Sequence, residues 1–313
     1  MSRKLSKLLC VLLALGLLAG MIPGAAAEEA GTAGIPEVPD AAAEAETGTG
    51  GTEPAAAEAD GTGAGDGEGG LLFSGSGTAE EPYLLGNAAD MQALDEAVEN
   101  GEPFSGAYFL MTADITLPDT FDGLGYGAGL AGRVASVTDE CRPFSGDFDG
   151  GGFTLSVAEG CPPPFDFVSG AVIHDLAVYG ARIEGCGVLE TYISGGGEIT
   201  FRNVTLKEGT KTLRSGFVGG YGNSTVTIES CTVEPGVVIG YAKDQKWIGS
   251  FGGEFNGEIR NCRSDAAVYG TDFVGGIAGD KGQSMQTFSI VNCTFGGEVI
   301  ATGDYAGGIA GAG

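Results

Sequence analysis

The sequence predicts an all-β protein built as a parallel β-helix, a solenoid whose coils of strand stack on one another. Two short patterns recur with a shared period through the second half of the chain. Apolar residues alternate with polar ones over short runs rich in Val, Ile, Thr and Phe, and Gly or Asn separates these runs. With 59 glycines in 313 residues and one clear helical pattern, the composition disfavours an ordinary α/β enzyme.

Residues 1–27 are predicted to be a secretory signal peptide. Basic residues precede an apolar run from Leu8 to Ile22, and the segment closes with three alanines that end at Ala27, the pattern a signal peptidase requires. A membrane anchor is the alternative, but the run contains two glycines and is shorter than the roughly 20 residues of a membrane-spanning helix. We therefore expect export, cleavage after Ala27 and no membrane insertion of the mature chain.

Residues 28–70 are predicted to be a disordered, acidic linker. The segment consists almost wholly of Ala, Gly, Glu, Asp, Thr and Pro, and it contains no Lys or Arg. Such a composition buries too little apolar surface to offset the entropy of ordering, and its like charges repel one another. We expect a tether between the signal peptide and the folded part.

Residues 71–108 are predicted to form an N-terminal cap segment with one short helix. Asn87 is a capping residue at the start of the helical pattern, and Gly101 is a stop signal. The apolar face consists of Met91, Leu94 and Val98. Because the end of a β-helix is an open sheet edge, an amphipathic helix laid over it would prevent pairing with other chains.

Residues 109–313 are predicted to form the coils, and their first pattern is a strand interrupted by a small polar residue. The copies begin at Ile173, Phe201, Ile228, Ile259 and Ile290, at intervals of 27 to 31 residues. Within a copy, inward positions such as Ile259 and Cys262 are three apart, so the strand must bend between them. The residues at this bend suit a left-handed backbone: Asp175, Asn203, Ser230, Asn261 and Asn292.

The second pattern is a glycine pair that follows an aromatic residue. Its copies begin at Phe217, Phe251, Phe273 and Tyr305. A glycine-rich loop can bind phosphate, but these pairs recur without a following helix or Lys, so we interpret them as points of close packing between coils. Two patterns that share one period predict one repeated unit, stacked at about 4.8 Å per coil.

Three cysteines occupy the same position in successive copies. Cys231, Cys262 and Cys293 are therefore predicted to form an inward ladder of small apolar side chains. A disulfide between neighbouring coils is the alternative, although three residues cannot all pair. The other cysteines show no such register, and a Cys141–Cys161 bridge remains open.

The chain ends at Gly313 inside a repeat, so we expect a β-helix that is truncated at its C-terminus. An uncovered last coil would expose a sheet edge together with Tyr305 and Ile309. End-to-end self-association is the expected consequence, and attachment to the cell surface would depend on the missing part.

The serial order of these features resembles that of GLUG-motif repeat proteins. The lead-in of that family is similar to the segment from Gly75 to Tyr83, the helix, and the segments 108–115 and 144–155, and its repeats are similar to the Val-Gly-Gly-Ile-Ala-Gly units. The resemblance covers about residues 74–313, with departures at Phe153 and at residues 185–189. It implies a bacterial secreted or surface protein with a right-handed β-helix related in shape to pectate lyases.

Asp147 and Asp149 are the candidate catalytic residues, with Asp119 and Asp122 upstream. β-Helical polysaccharide lyases and hydrolases align carboxylates with a base on one outward strand face. The simpler interpretation, which we favour, is that Asp149 begins a tight turn. A calcium loop opening at Asp147 would need a carboxylate at its twelfth position, which is Ala158.

His174 is the single histidine of the chain, and we expect it to be a solvent-facing strand residue. A Ser-His-Asp triad or a zinc site would need more histidine or a different ligand set. No cofactor and no metal site are predicted. Sequons occur at Asn203, Asn223 and Asn292, but a bacterial chain gives no reason to expect glycans there.

The net charge of −27 disfavours binding to nucleic acid and to anionic lipid. An acidic surface provides solubility, with binding of divalent cations as the alternative. The sequence therefore predicts a secreted or cell-surface, non-catalytic, adhesin-like module whose partner is an extracellular glycan or a host or matrix protein. The alternative function is a polysaccharide-active lyase or glycoside hydrolase, which two or three outward carboxylates and a base within about 5–10 Å would favour.

Overall fold

The computed structural model describes residues 73–126, 141–192, 197–219, 225–281 and 288–312. The predicted signal peptide, the predicted linker and the sequon at Asn223 lie outside these residues. Among the described residues, no helix is long and apolar enough to cross a membrane.

The described chain begins with a short strand and the predicted helix. Strand β1 (Tyr83–Leu85) precedes helix α1 (Ala88–Glu99). The Asn87 side chain accepts hydrogen bonds from the amides of Ala89 and Asp90, and the Asp90 carboxylate accepts one from the Asn87 amide, so a capping box starts the helix. The predicted apolar face, Met91, Leu94 and Val98, is buried in the core.

Short strands make up most of the rest. The first half contains β2 (Tyr108–Met111), β3 (Ile115–Thr116), β4 (Asp147–Asp149), β5 (Thr154–Ser156), β6 (Phe165–Val168), β7 (Val172–Tyr179), β8 (Leu189–Tyr192), β9 (Ile199–Leu206) and β10 (Lys211–Thr212). The second half contains β11 (Val226–Glu229), β12 (Thr232–Val233), β13 (Val238–Ile239), β14 (Gly252–Phe255), β15 (Gly257–Arg260), β16 (Arg263–Ser264), β17 (Ala267–Gly270), β18 (Val274–Gly275), β19 (Ala278–Lys281), β20 (Phe288–Val291), β21 (Thr294–Phe295), β22 (Glu298–Ala301) and β23 (Ala306–Gly307).

The strands pair in parallel, one coil on the next. The largest sheet has the order β1-β2-β4-β7-β9-β11-β15-β20, so each strand pairs with its counterpart in the following coil. A second sheet has the order β10-β13-β17-β22, and three two-stranded sheets join β6 to β8, β14 to β19 and β18 to β23. The predicted all-β, parallel β-helical fold with one short helix is therefore confirmed.

The isoleucine ladder forms in the predicted register. Ile228 pairs with Ile259, which pairs with Ile290 on the following coil. Ile228 and Ile259 are fully buried, whereas Ile290 is only partly buried. The difference arises because β20 is the last strand of its sheet, so a neighbouring coil covers Ile290 on one side only.

The cysteine ladder also forms as predicted. Cys231 and Cys262 are buried, and Cys293 on the last strand is partly buried. The Cys231 amide donates a hydrogen bond to Cys262 Sγ at 3.4 Å. The hydrogen bond with Cys231 and burial raise the pKa of the Cys262 thiol to about 12, so it remains protonated and unreactive. None of the six described cysteines is joined in a disulfide, so the Cys141–Cys161 bridge is not formed.

The predicted bends have the left-handed backbone. Their φ angles lie between 50° and 55° at Asp175, Asn203, Ser230, Asn261 and Asn292. Side-chain amides connect this column between coils, since Asn292 Nδ2 donates to Asn261 Oδ1 at 2.8 Å. The small polar residues therefore allow the strand to bend and also link neighbouring coils.

The glycine pairs are points of close packing, as predicted, but the predicted alignment of their copies is wrong. Phe251 does not stand at the position of Phe273, because Ile248 pairs with Val274 and Gly252 pairs with Ala278. The equivalent of Phe273 is Trp247, one residue before Ile248. The pattern therefore contains two ladders, an inward one through Phe217 and Phe251 and an outward one through Trp247, Phe273 and Tyr305.

Candidate functional site

The two candidate aspartates lie on the outward face of the largest sheet. Asp147 and Asp149 flank the buried Phe148 on β4, so both side chains leave the same face. In the next coil, His174 on β7 pairs in register with Asp149. In the coil after that, Arg202 on β9 pairs with His174. The stacking of coils thus brings the single histidine of the chain to both candidates.

His174 lies among three carboxylates, and we call Asp147, Asp149, His174 and Asp175 the His174 cluster. His174 Nε2 is 2.9 Å from Asp147 Oδ1, and His174 Nδ1 is 2.6 Å from Asp175 Oδ2. Asp149 Oδ1 lies 3.9 Å from the same Nδ1. His174 lies on the outward strand face, as expected, but its side chain is only 12% exposed, because carboxylates lie against both ring nitrogens.

Neighbouring groups hold the carboxylates in place. Asn203 Nδ2 donates a hydrogen bond to Asp175 Oδ1 at 2.5 Å, which leaves Asp175 Oδ2 directed at the imidazole. The Gly151 amide donates to Asp149 Oδ1 at 2.7 Å. Asp149 therefore begins the predicted tight turn and also belongs to the His174 cluster.

The surroundings of His174 favour its charged form. Burial, the largest single influence, lowers the pKa of His174, but hydrogen bonds to Asp175 and Asp147 and the charges of Asp147 and Asp149 together raise it above its ordinary value. Hydrogen bonds from Asn203 and His174, with the nearby charges of His174 and Arg202, lower the pKa of Asp175. An imidazolium that donates from both ring nitrogens fits this geometry.

The His174 cluster predicts a defined pH dependence of stability. Because the folded pKa of His174 is raised, its stabilising effect should be complete below the unfolded value of about 6.5 and should disappear as the pH rises through the folded pKa. We expect the difference in unfolding free energy between the wild type and His174→Gln, measured by denaturant titration, to shrink steadily above about pH 6.5. A difference that grows with pH would contradict this arrangement.

The upstream aspartates are in a different environment. Burial first, and then the charges of Asp119 and Asp122, raise the pKa of the Cys161 thiol. The Asp119 carbonyl lies 3.8 Å from Cys161 Sγ. The structure therefore brings Asp147 and Asp149 together with His174 and Asp175, while Asp119 and Asp122 lie beside Cys161.

A second feature that the sequence analysis missed is an outward column of aromatic rings. The rings of Trp247 and Phe273 stack at a centroid distance of 5.9 Å, and those of Phe273 and Tyr305 stack at 4.7 Å with planes 8° apart. All three residues have positive φ angles, which is rare for bulky side chains. Tyr305 is 60% exposed, so the aromatic column presents an open ring to solvent.

Charged side chains border the aromatic column. Lys246 Nζ lies 2.6 Å from Asp272 Oδ2, and each of these residues immediately precedes a ring of the column. The amide of Asp304, which precedes Tyr305, donates to Asp272 Oδ1 at 2.8 Å. Apolar ring surface and polar groups therefore occur side by side, as at many binding surfaces.

The chain is similar in sequence to Halomucin and in fold to a protein from Bacteroides ovatus. No protein-family model matches the chain. The chain is 28% identical to Halomucin from Haloquadratum walsbyi over 263 residues, which cover 77% of this chain and 2% of Halomucin. It thus spans a very small part of that relative.

The structural relative is a Bacteroides ovatus protein named as a candidate immunoglobulin A1 protease. Its crystal structure matches with a TM-score of 0.52 and 19% identity, over 78% of this chain and 76% of the other. At this level of identity the likeness concerns the fold alone.

Proposed function

We propose that this protein is a secreted or cell-surface module that binds an extracellular glycan or matrix protein without cleaving it. The observation that carries the proposal is the position of His174 among the candidate carboxylates. Glycoside hydrolases separate two carboxyl groups by roughly 5–9.5 Å to leave room for the sugar and, in inverting enzymes, for a water. Here the imidazole bridges Asp147, one of the two candidates, and Asp175, so the facing oxygens of these two carboxylates are occupied by a side chain of the protein. The other candidate, Asp149, accepts a hydrogen bond from the Gly151 amide through Oδ1.

The charge and composition support a place outside the cytoplasm. The chain carries a net charge of −27, and its first 27 residues have the pattern of a signal peptide. We infer that the β-helix displays its outward faces to ligands beyond the cell.

The aromatic column is the proposed contact surface for a glycan. Sugar rings have apolar faces that pack on aromatic rings, while their hydroxyl groups hydrogen-bond to neighbouring polar side chains. Tyr305 offers an exposed ring, and the Lys246–Asp272 pair provides charged hydrogen-bonding groups beside the column. The combination supports a glycan more strongly than nucleic acid, which the acidic charge repels.

A polysaccharide-active enzyme is the second candidate function. Three carboxylates and one imidazole share an outward face, and such a group of carboxylates with a base is what a polysaccharide-active enzyme needs. The name of the Bacteroides ovatus relative concerns proteolysis, but the likeness to it concerns the fold alone. Without a bound ion, both ring nitrogens of His174 face carboxylates, which favours the non-catalytic function, because a general base needs an available lone pair.

Binding to immobilised polymers tests the proposed function. The full chain, applied to a panel of acidic and neutral polysaccharides, mucin and matrix proteins, is expected to be retained by at least one glycan. Tyr305→Ala should weaken that retention at least several-fold, whereas Tyr179→Ala, which removes another exposed tyrosine, should leave it unchanged. Equal loss in both variants, or retention by no polymer of the panel, would contradict the proposal.

A further inference from the structure

We propose that Asp149, His174 and Asp175 form a binding site for a divalent transition-metal ion of the Zn²⁺ type on the outward face of the β-helix. The three residues each offer one ligand atom, and these atoms lie within 4.8 Å of one another. A zinc site in a chain with one histidine needs other residue types as its remaining ligands, and here two aspartates provide them. The inference does not depend on the proposed glycan binding.

Two of the three distances between the ligand atoms lie within about 0.8 Å of the value for a tetrahedral centre. Ligand atoms about 2.0–2.2 Å from a zinc ion lie roughly 3.4 Å from one another. His174 Nδ1 is 2.6 Å from Asp175 Oδ2 and 3.9 Å from Asp149 Oδ1. Insertion of the ion would lengthen the His174–Asp175 distance by about 0.8 Å and shorten the His174–Asp149 distance by about 0.5 Å. The side chains of Asp149 and Asp175 are 35% and 41% exposed, which leaves both carboxylates room for these movements.

The neighbours of the three residues are arranged like those of a metal centre. A histidine that binds a metal through one ring nitrogen usually donates the other N–H to a carboxylate, which fixes the orientation of the ring. His174 Nε2 lies 2.9 Å from Asp147 Oδ1, on the opposite side of the ring from the proposed ligands. Asn203 Nδ2 donates a hydrogen bond to Asp175 Oδ1, so Asp175 Oδ2 is directed at the site. Asp147 and Asn203 are therefore positioning residues for the ligands.

The ligand types select the class of ion. An imidazole nitrogen with two carboxylate oxygens suits Zn²⁺ and related ions, whereas Ca²⁺ and Mg²⁺ prefer oxygen ligands alone. The ion would bind the lone pair of the neutral imidazole at His174 Nδ1, while Nε2 keeps its proton and donates it to Asp147. The three protein ligands leave one tetrahedral position open to water or to a ligand carboxylate.

The single histidine makes the test direct. The metal-free full chain is titrated with ZnCl₂ at pH 7 while the imidazole resonances of His174 are followed by NMR. We expect these resonances to shift on addition of one equivalent of Zn²⁺. CaCl₂ in excess should leave them in place. Imidazole resonances that do not respond to Zn²⁺, or that respond equally to Ca²⁺, would overturn the proposal.

Variants separate this site from the general acidity of the chain. His174→Gln and Asp149→Asn should each reduce the affinity of the site for Zn²⁺ at least tenfold, whereas Glu298→Gln, at an exposed acidic residue outside the His174 cluster, should not. Circular dichroism of each variant checks that the β-helix is retained. Equal Zn²⁺ affinity in all three variants would show that other carboxylates hold the ion and would overturn the proposal. The NMR titration uses the wild type, so it does not depend on the folding of any variant.

Discussion

Replacing Ile259 with alanine is expected to lower the free energy of unfolding by about 4 kcal/mol, because the substitution leaves a cavity inside the isoleucine ladder. Ile259 is fully buried between Ile228 and Ile290 on the neighbouring coils. Denaturant titration followed by circular dichroism measures the change. A loss of this size would show that the inward ladder is a principal source of stability.

The matched control is the same substitution on the last strand. Ile290 occupies the same ladder position but is only partly buried, so Ile290→Ala should cost less than half as much as Ile259→Ala. Equal costs at the two positions would mean that the difference in burial between the coils does not exist in solution.

Replacing Gly276 with alanine is expected to lower the free energy of unfolding by about 3 kcal/mol, the second largest loss, because the added methyl group would clash with the next coil. A Cβ at Gly276 would lie 2.1 Å from the Gly308 carbonyl oxygen and 2.5 Å from the Phe295 ring. The carbonyl belongs to the backbone, so the coils would have to separate. Thermal or denaturant unfolding of the variant measures the cost.

Gly308 provides the control for this prediction. It is the equivalent glycine one coil further on, since Gly275 pairs with Gly307, and a Cβ there would meet nothing within 4 Å. Gly308→Ala should therefore be neutral or slightly stabilising, because alanine restricts the unfolded chain. If both alanine variants unfold at the same denaturant concentration, close packing of coils at the glycine pairs is wrong.

The sequence was sufficient to predict the fold because a solenoid repeats its local rules. The inward positions Ile228 and Ile259, the cysteine ladder and the left-handed bends such as Asn261 all follow from one pattern read at one period. Burial at each position depends only on neighbouring coils, so a register deduced from several copies determines most of the core.

The sequence identifies Asp147 and Asp149 as candidate site residues, but it does not reveal their association with His174 and Asp175, because the repeat pattern is weakest in this part of the chain. The repeat pattern is clear only from Ile173 onward, so the sequence alone does not show that Phe148 is the counterpart of Ile173 in the preceding coil. Had Phe148 been aligned with Ile173, Asp149 would have fallen beside His174. The contact of Asp175 with the ring could not be deduced even then, because it depends on the side-chain orientation that Asn203 holds.

The aromatic column was missed for a different reason. Both Phe251 and Phe273 precede a glycine pair, so a match by residue type aligned two different ladders. Only strand pairing distinguishes them, because Ile248 lies opposite Val274 and therefore places Trp247 beside Phe273. Repeats that contain several glycines leave such ambiguities in register.

The central claim is that the outward face of the β-helix holds a ligand and does not cleave it, and product analysis tests it most directly. The full chain is incubated with each polymer that retains it, and the length distribution and the new chain ends of the polymer are measured over time. We predict an unchanged distribution, because the imidazole of His174 occupies the facing oxygens of Asp147 and Asp175. Shortened polymer whose formation is abolished by Asp147→Asn or Asp149→Asn would contradict the claim and establish the polysaccharide-active enzyme instead.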